Sequence, residues 1–192
     1  MRTAAKHEVA LRPLLSHATD HYYRLYLRLQ YGAGRADKAL KDLAYAYFCK
    51  ACAARGLLPA PPGASCPACG EAGVRWGGPL WGGPLFDPEF LADVERATHG
   101  RPLGKPQELA KALAVWREEA VAPPLLYDVH EIAPRAGVDV PRTEALLAAL
   151  RERGFTVTRT HLHGRGIKTD ATAAQLVDVM RGIPPRAQSS GS

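Results

Sequence analysis

Phe48-Cys49-Lys50-Ala51-Cys52 and, thirteen residues on, Cys66-Pro67-Ala68-Cys69 contain all four cysteines of the 192-residue chain. A C-x2-C pair sets two thiolates on one tight turn, facing a single ion. Two such pairs supply the four sulfurs of a tetrahedral zinc site. Two disulfides, buried free thiols or a redox pair are the alternatives, and the symmetry of the two knuckles favours metal. Four cysteines leave no position open for water, so Cys49, Cys52, Cys66 and Cys69 are read as a structural site, with no catalytic role.

Around the knuckles the chain reads as an α+β protein. It combines a small antiparallel sheet, a four-cysteine zinc ribbon and flanking helices, followed by a winged-helix-like module. Residues 3–18 are expected to form a helix interrupted or capped at Pro13, with Leu11, Leu14 and Leu15 on its apolar face. His21 to Tyr31 alternates as a strand. His21, Tyr23, Leu25, Leu27, Leu29 and Tyr31 form one row, expected to face the core. Tyr22, Arg24, Tyr26, Arg28 and Gln30 form the other, with the composition that stacks bases and grips phosphates, and equally that of a solvated sheet face. Gly32-Ala33-Gly34 turns the chain, and Leu43 to Phe48 is a second strand entering the first knuckle.

The sequence after the second knuckle repeats itself, Trp76-Gly77-Gly78-Pro79-Leu80 followed by Trp81-Gly82-Gly83-Pro84-Leu85. Five residues are too few for a solenoid unit. The glycines predict close backbone packing, and the two indoles predict anchors. Asp87 with Pro88 starts a helix to about Thr98. Lys105 to Val121 is a second helix, with Leu109, Leu113 and Trp116 on its buried stripe. Pro123-Pro124 marks a boundary between subdomains 1–122 and 123–183, and residues 184–192 read as a disordered tail.

The second part reads as helix, helix, hairpin and helix, the winged-helix order. Asp128 caps the first helix, with Glu131 completing a capping box, and Pro134 shortens or kinks it. Pro141 to Gly154 is the second. Phe155 to Leu162 and Ile167 to Asp170 are the hairpin strands, and Thr172 with Gln175 caps the last helix.

The net charge of +6 and a pI near 9.3 suit a polyanion partner, nucleic acid above all. Residues 1–41 hold eight Lys/Arg against three Asp/Glu. No apolar run reaches the length of a membrane span, and no signal core opens the chain. The expected compartment is the cytoplasm, where reduced thiols bind metal.

Several stretches together resemble one family. They are Pro13-Leu14-Leu15-Ser16-His17, Asp20-His21-Tyr22-Tyr23-Arg24, Gly78-Pro79-Leu80-Trp81 with Gly83-Pro84-Leu85, Tyr127-Asp128-Val129-His130, Arg159-Thr160-His161 and Gly166-Ile167-Lys168-Thr169-Asp170. Their order resembles the C-terminal domain of the tRNA (guanine-26-N2)-dimethyltransferases. That resemblance implies an enzyme using S-adenosylmethionine, with tRNA as partner and zinc in some members. The family's cofactor-binding and catalytic motifs find no matching positions here, since no glycine-rich loop that could cradle the cofactor is seen between a strand and a helix.

The resulting expectation is a tRNA-binding C-terminal portion. It would position tRNA for methylation by a separate or missing N-terminal methyltransferase domain or subunit. A zinc-ribbon and winged-helix DNA-binding regulator, or a docking scaffold for a catalytic subunit, are the alternatives. The candidate RNA contacts are Tyr22, Arg24, Arg28, Arg159, His161, Arg165 and Lys168.

Overall fold

The structure, a computed structural model, describes residues 1–19 and 21–184. The expected tail therefore lies, beyond Pro184, outside the described residues. The chain opens with α1 (Arg2–Ala5), β1 (Val9–Thr19), β2 (Tyr22–Tyr31) and α2 (Ala33–Leu40). The expected helix over 3–18 is thus a single helical turn followed by a long strand. Leu11, Leu14 and Leu15 fit a helical stripe and a bulged strand alike, and the β1–β2 register shifts between Pro13 and Leu15. The bulge accommodates a proline, which cannot donate to a regular ladder.

β2 is a strand as predicted, but the expected burial of one row is wrong. All ten of its residues are exposed, whereas β1 carries the buried Ala10, Leu14, Leu15 and His17. β1 keeps the inner place because its second edge is taken by Leu85 to Asp87, the segment before the helix that starts at Pro88. The Ser16 N–H donates to the Leu85 carbonyl at 3.0 Å, and the Asp87 N–H donates to the Leu14 carbonyl at 2.8 Å.

The cysteine region is a second antiparallel sheet of β3 (Leu43–Phe48), β4 (Arg55–Leu58) and β5 (Arg75–Trp81), with β3 in the centre. Glycines let β5 and the chain after it lie close on β3. A Cβ on Gly78 would meet the Tyr45 ring at 2.7 Å, and one on Gly82 would meet the Ala44 Cβ at 2.7 Å.

Two helices follow, α3 (Pro88–Thr98) and α4 (Pro106–Glu119). Asp87 caps α3 by accepting the Phe90 N–H at 3.1 Å, with Pro88 at the first turn as predicted. Leu113 and Trp116 of α4 join Leu15, Phe86 and Leu91 in one core cluster.

The last module contains β6 (Tyr127–Asp128), α5 (Val129–Ala136), α6 (Thr143–Glu152), β7 (Val157–Arg159), β8 (Gly166–Thr169) and α7 (Ala173–Arg181). Its sheet has the order β6-β8-β7 and is antiparallel. Ile132, Leu146, Leu150, Ile167 and Leu176, all fully buried, centre the largest core cluster. Asp128 caps α5 through the His130 N–H at 2.8 Å, and the Thr172–Gln175 capping box is present on α7.

The knuckles do more than join neighbouring strands. Ala53, which follows Cys52, is fully buried in the core of the last module. Arg135 of α5 donates to the Lys50 carbonyl at 2.8 Å. Arg55 lies between the Phe48 and Tyr127 rings, 5.2 and 4.4 Å from their centroids, and donates to the Leu126 carbonyl. The cysteine turn therefore seats on α5 as well as on its own sheet.

Candidate functional site

The four thiols meet where the tips of the two knuckles converge. The four Sγ atoms lie within 4.8 Å of one another. Cys49 and Cys69 stand 3.8 Å apart, as do Cys52 and Cys66. Four sulfurs bound about 2.3 Å from one tetrahedral ion stand about 3.8 Å apart, the separation these two pairs show, and the set needs only a small contraction elsewhere to hold such an ion. No disulfide links any of them. Burial works to raise the Cys66 thiol, but N–H groups from Cys69 and Ala68 outweigh it and bring it to about 7. Burial pushes the Cys52 thiol up to about 12. Cys49 and Cys66 are buried at the sheet side, and Cys69 is exposed at the rim.

A second polar centre lies between α4, the β7–β8 hairpin and β1. Glu119 and Lys168 are both fully buried, with Nζ and Oε2 2.6 Å apart. The Thr160 hydroxyl donates to Oε2 at 3.2 Å, and the His161 N–H donates to Oε1 at 2.6 Å. His161 Nδ1 is 2.7 Å from the same Oε1. The Ala18 N–H donates to His161 Nε2 at 3.2 Å. That makes Nε2 an acceptor and places the ring proton on Nδ1, donating to Glu119. Burial alone raises the Glu119 carboxyl, but hydrogen bonds from His161 and Lys168 outweigh it and hold it below its usual range. The centre thus ties three parts of the chain together. Its signal in the sequence was a charged residue on the Leu109–Leu113–Trp116 stripe, three positions beyond the tryptophan.

This geometry sorts the predicted RNA contacts. Lys168 and His161 are turned inward to Glu119, so the expectation that they contact RNA is corrected: a fully buried ammonium reaches no phosphate. Tyr22, Arg24 and Arg28 are exposed on β2, and the Arg24 guanidinium lies 4.9 Å from the centroid of the Tyr22 ring. Arg165 is exposed and lies 3.7 Å from Asp128. Arg159 is exposed and paired with Glu144. His17 joins the Tyr22 group to the core, with its ring centroid 4.8 Å from that of Trp116. Burial chiefly, then the charges of His161 and Arg24, lowers the His17 pKa.

The family model described as N2,N2-dimethylguanosine tRNA methyltransferase matches residues 1–181. The chain belongs to this family. It is 38% identical, over 94% of its length and 48% of the relative, to the tRNA (guanine(26)-N(2))-dimethyltransferase of Methanoregula boonei. It is 36% identical to that of Methanosarcina acetivorans, over 95% of its length and 47% of the relative. The solved structure of Trm1 from Pyrococcus horikoshii with S-adenosyl-L-methionine overlays 93% of this chain with a TM-score of 0.77 and 30% identity, covering 46% of that protein. The chain spans about half the length of the methyltransferases it matches.

These findings correct one expectation. The methyltransferase family's own model runs along residues 1–181, and the overlaid relative was solved with the methyl donor. The chain is therefore placed in the methyltransferase family along residues 1–181. The reading as a tRNA-binding C-terminal portion, with methylation left to a separate or missing domain, is set aside. The DNA-binding regulator and the docking scaffold offered beside it are set aside with it.

Two glycine-bearing turns run from a strand to a helix. Gly32-Ala33-Gly34 follows β2, which is antiparallel to β1, and Arg35 folds back to donate to the Tyr31 carbonyl at 2.6 Å. Gly82-Gly83 follows β5, and a Cβ on Gly83 would meet the Trp81 indole at 2.6 Å. A nucleotide cradle needs glycines open to the ligand beside a parallel strand. Protein atoms fill the second turn, and the strands beside both turns pair antiparallel. These turns do not fit S-adenosylmethionine, and no residue here is assigned to it.

Among the described residues, no helix is long and apolar enough to cross a membrane.

Proposed function

We propose that this chain works within a tRNA (guanine-N2)-methyltransferase, in which a methyl group passes from S-adenosylmethionine to the exocyclic amine of a guanine in tRNA. The observation that supports this reading is the methyltransferase match across residues 1–181, together with the overlay on the S-adenosylmethionine-bound relative. The cytoplasm is the compartment that goes with it.

In this reading tRNA is the methyl acceptor, held partly by the exposed cations of this chain. Arg24, Arg28, Arg159 and Arg165 contact phosphates, and Tyr22 stacks or hydrogen-bonds. Cys49, Cys52, Cys66 and Cys69 hold one structural zinc ion, which fixes the knuckle on α5 and supplies no reaction chemistry. The segment from β6 to α7 acts as a winged-helix-like module, in a division at residues 122 and 123. The Glu119–Lys168–His161 centre locks that module against β1, so that cations on both keep a fixed spacing.

The test is methyl transfer by the protein purified from its own cells, at its native length and with the partners it keeps. With methyl-labelled S-adenosylmethionine and unmodified tRNA, label is expected in N2-methylated guanosine. Label on another base, or none, overturns the reading.

A further inference from the structure

β2 is built like an interior strand yet stands at an edge. Its only strand partner among the described residues is β1, in a sheet of two strands. Among the described residues, the edge turned away from β1 meets no strand. One row of its side chains is apolar throughout, and Tyr23, Leu25, Leu29 and Tyr31 are 85%, 61%, 59% and 73% exposed. The row runs about 27 Å at the ordinary rise of a strand. Cross-strand partners Val9, Leu11 and Ala18 of β1 extend the same face.

A long, flat, apolar edge strand is normally covered, because it templates unwanted pairing. Natural edges carry inward charges, prolines or bulges. Here the bulge and Pro13 sit on β1, and β2 has none of these on its apolar row.

We propose that β2 is completed by the half of the methyltransferase that this chain does not match. That half adds a strand along the open edge and covers the Tyr23-Leu25-Leu27-Leu29-Tyr31 face. The occupant is argued from length: the relatives carry about as much chain again, since this chain covers 48% and 46% of two of them. A second copy of this chain is a poorer occupant. Antiparallel pairing of two β2 strands about a two-fold axis collects Arg24 and Arg28 of both copies on one face, and β2 contains no acidic residue to offset them. On the opposite row Tyr26 packs on Phe90 and His17, while Arg24 and Arg28 stay exposed and so remain open to tRNA. The inference rests on the methyltransferase reading for the identity of the partner, but its test reads assembly and not methylation.

The test compares amide hydrogen exchange in three samples. The first is this chain alone. The second is a chimera in which this chain replaces the matching half of the Methanoregula boonei relative. The third is this chain mixed with that relative's unmatched half. Alternate β2 amides, those not bonded to β1, are expected to exchange quickly in the chain alone and about 100-fold or more slowly in the chimera or the mixture. The double variant Leu25→Arg/Leu29→Arg keeps the melting temperature of the isolated chain, because both positions are exposed, and abolishes the added protection. Unchanged exchange in both the chimera and the mixture overturns the proposal. So does a dimer of the isolated chain, seen by light scattering, with these amides already protected.

Discussion

Replacing Lys168 with methionine isolates an ion pair that is buried on both sides. Lys168 and Glu119 are 1% and 0% exposed at their side chains, and their charged atoms stand 2.6 Å apart. Methionine fills most of the volume of the lysine stem but leaves a buried carboxylate without its counter-charge. Breaking one partner of such a pair typically costs about 3–5 kcal/mol. Glu119 keeps the Thr160 hydroxyl, the His161 N–H and the His161 ring. Those three donors place the cost at the low end, about 3 kcal/mol. For a chain of this length that lowers the melting temperature by about 6–12 °C. The assay is thermal unfolding by circular dichroism in zinc-containing buffer. The double variant Glu119→Gln/Lys168→Met removes both charges and retains an acceptor for His161, so it should recover most of the loss. A fall of less than about 2 °C in the single variant, or a double variant no better than the single, refutes the reasoning. Folded Lys168→Met protein should also bind tRNA as the parent does, because the ammonium faces the interior.

Acid should act on the same centre. The folded Glu119 pKa lies below its ordinary 4.5, so its contribution is complete above that value and is lost as pH falls through the folded pKa; urea unfolding between pH 5 and pH 3 should show a steeper loss of stability in the parent than in Glu119→Gln. His17 is held below 6.5, so the fold favours the neutral ring, and its contribution is present above 6.5 and lost on acidification; His17→Asn should flatten the stability profile just below that pH. Zinc should be found at one ion per chain after dialysis, and cobalt substitution should give the spectrum of a tetrahedral thiolate site. Cys49→Ser should lower that occupancy and expose Ala53 and the α5 face to proteolysis, whereas full retention of metal and fold would count against the four-thiol site. Gly83→Ala should shift Trp81, since the new methyl group falls 2.6 Å from the indole, and a change in tryptophan fluorescence with a loss of about 1–3 kcal/mol is expected.

Locally coded features were legible from the residues. Asp87 before Pro88, Thr172 with Gln175, and the two cysteine knuckles each specify a turn or cap within a few residues, and each is found. The alternation from His21 to Tyr31 correctly gave a strand, found over Tyr22–Tyr31, because a period of two is a backbone property. It could not say which face is covered, since burial depends on what packs there. The row expected in the core is exposed, and β1 occupies the inner place. β1 itself was hidden because Leu11, Leu14 and Leu15 are spaced as on a helix, an ambiguity created by its bulge. α2 was missed because Gly32 and Gly34 read as a turn and mask the helix that begins between them. The Glu119 centre was the least legible part. Its partners lie 41 to 49 positions along the chain, and a lone Glu at the end of an amphipathic helix is ordinarily solvated. The same long-range pairing removed Lys168 and His161 from the predicted RNA surface.

The most direct test of the methyltransferase reading is the modification itself. Mass spectrometry of digested tRNA measures N2,N2-dimethylguanosine in cells with the chain's gene intact, deleted and restored. Loss on deletion and return on restoration are expected. An unchanged level after deletion contradicts the assignment of this chain to tRNA guanine methylation.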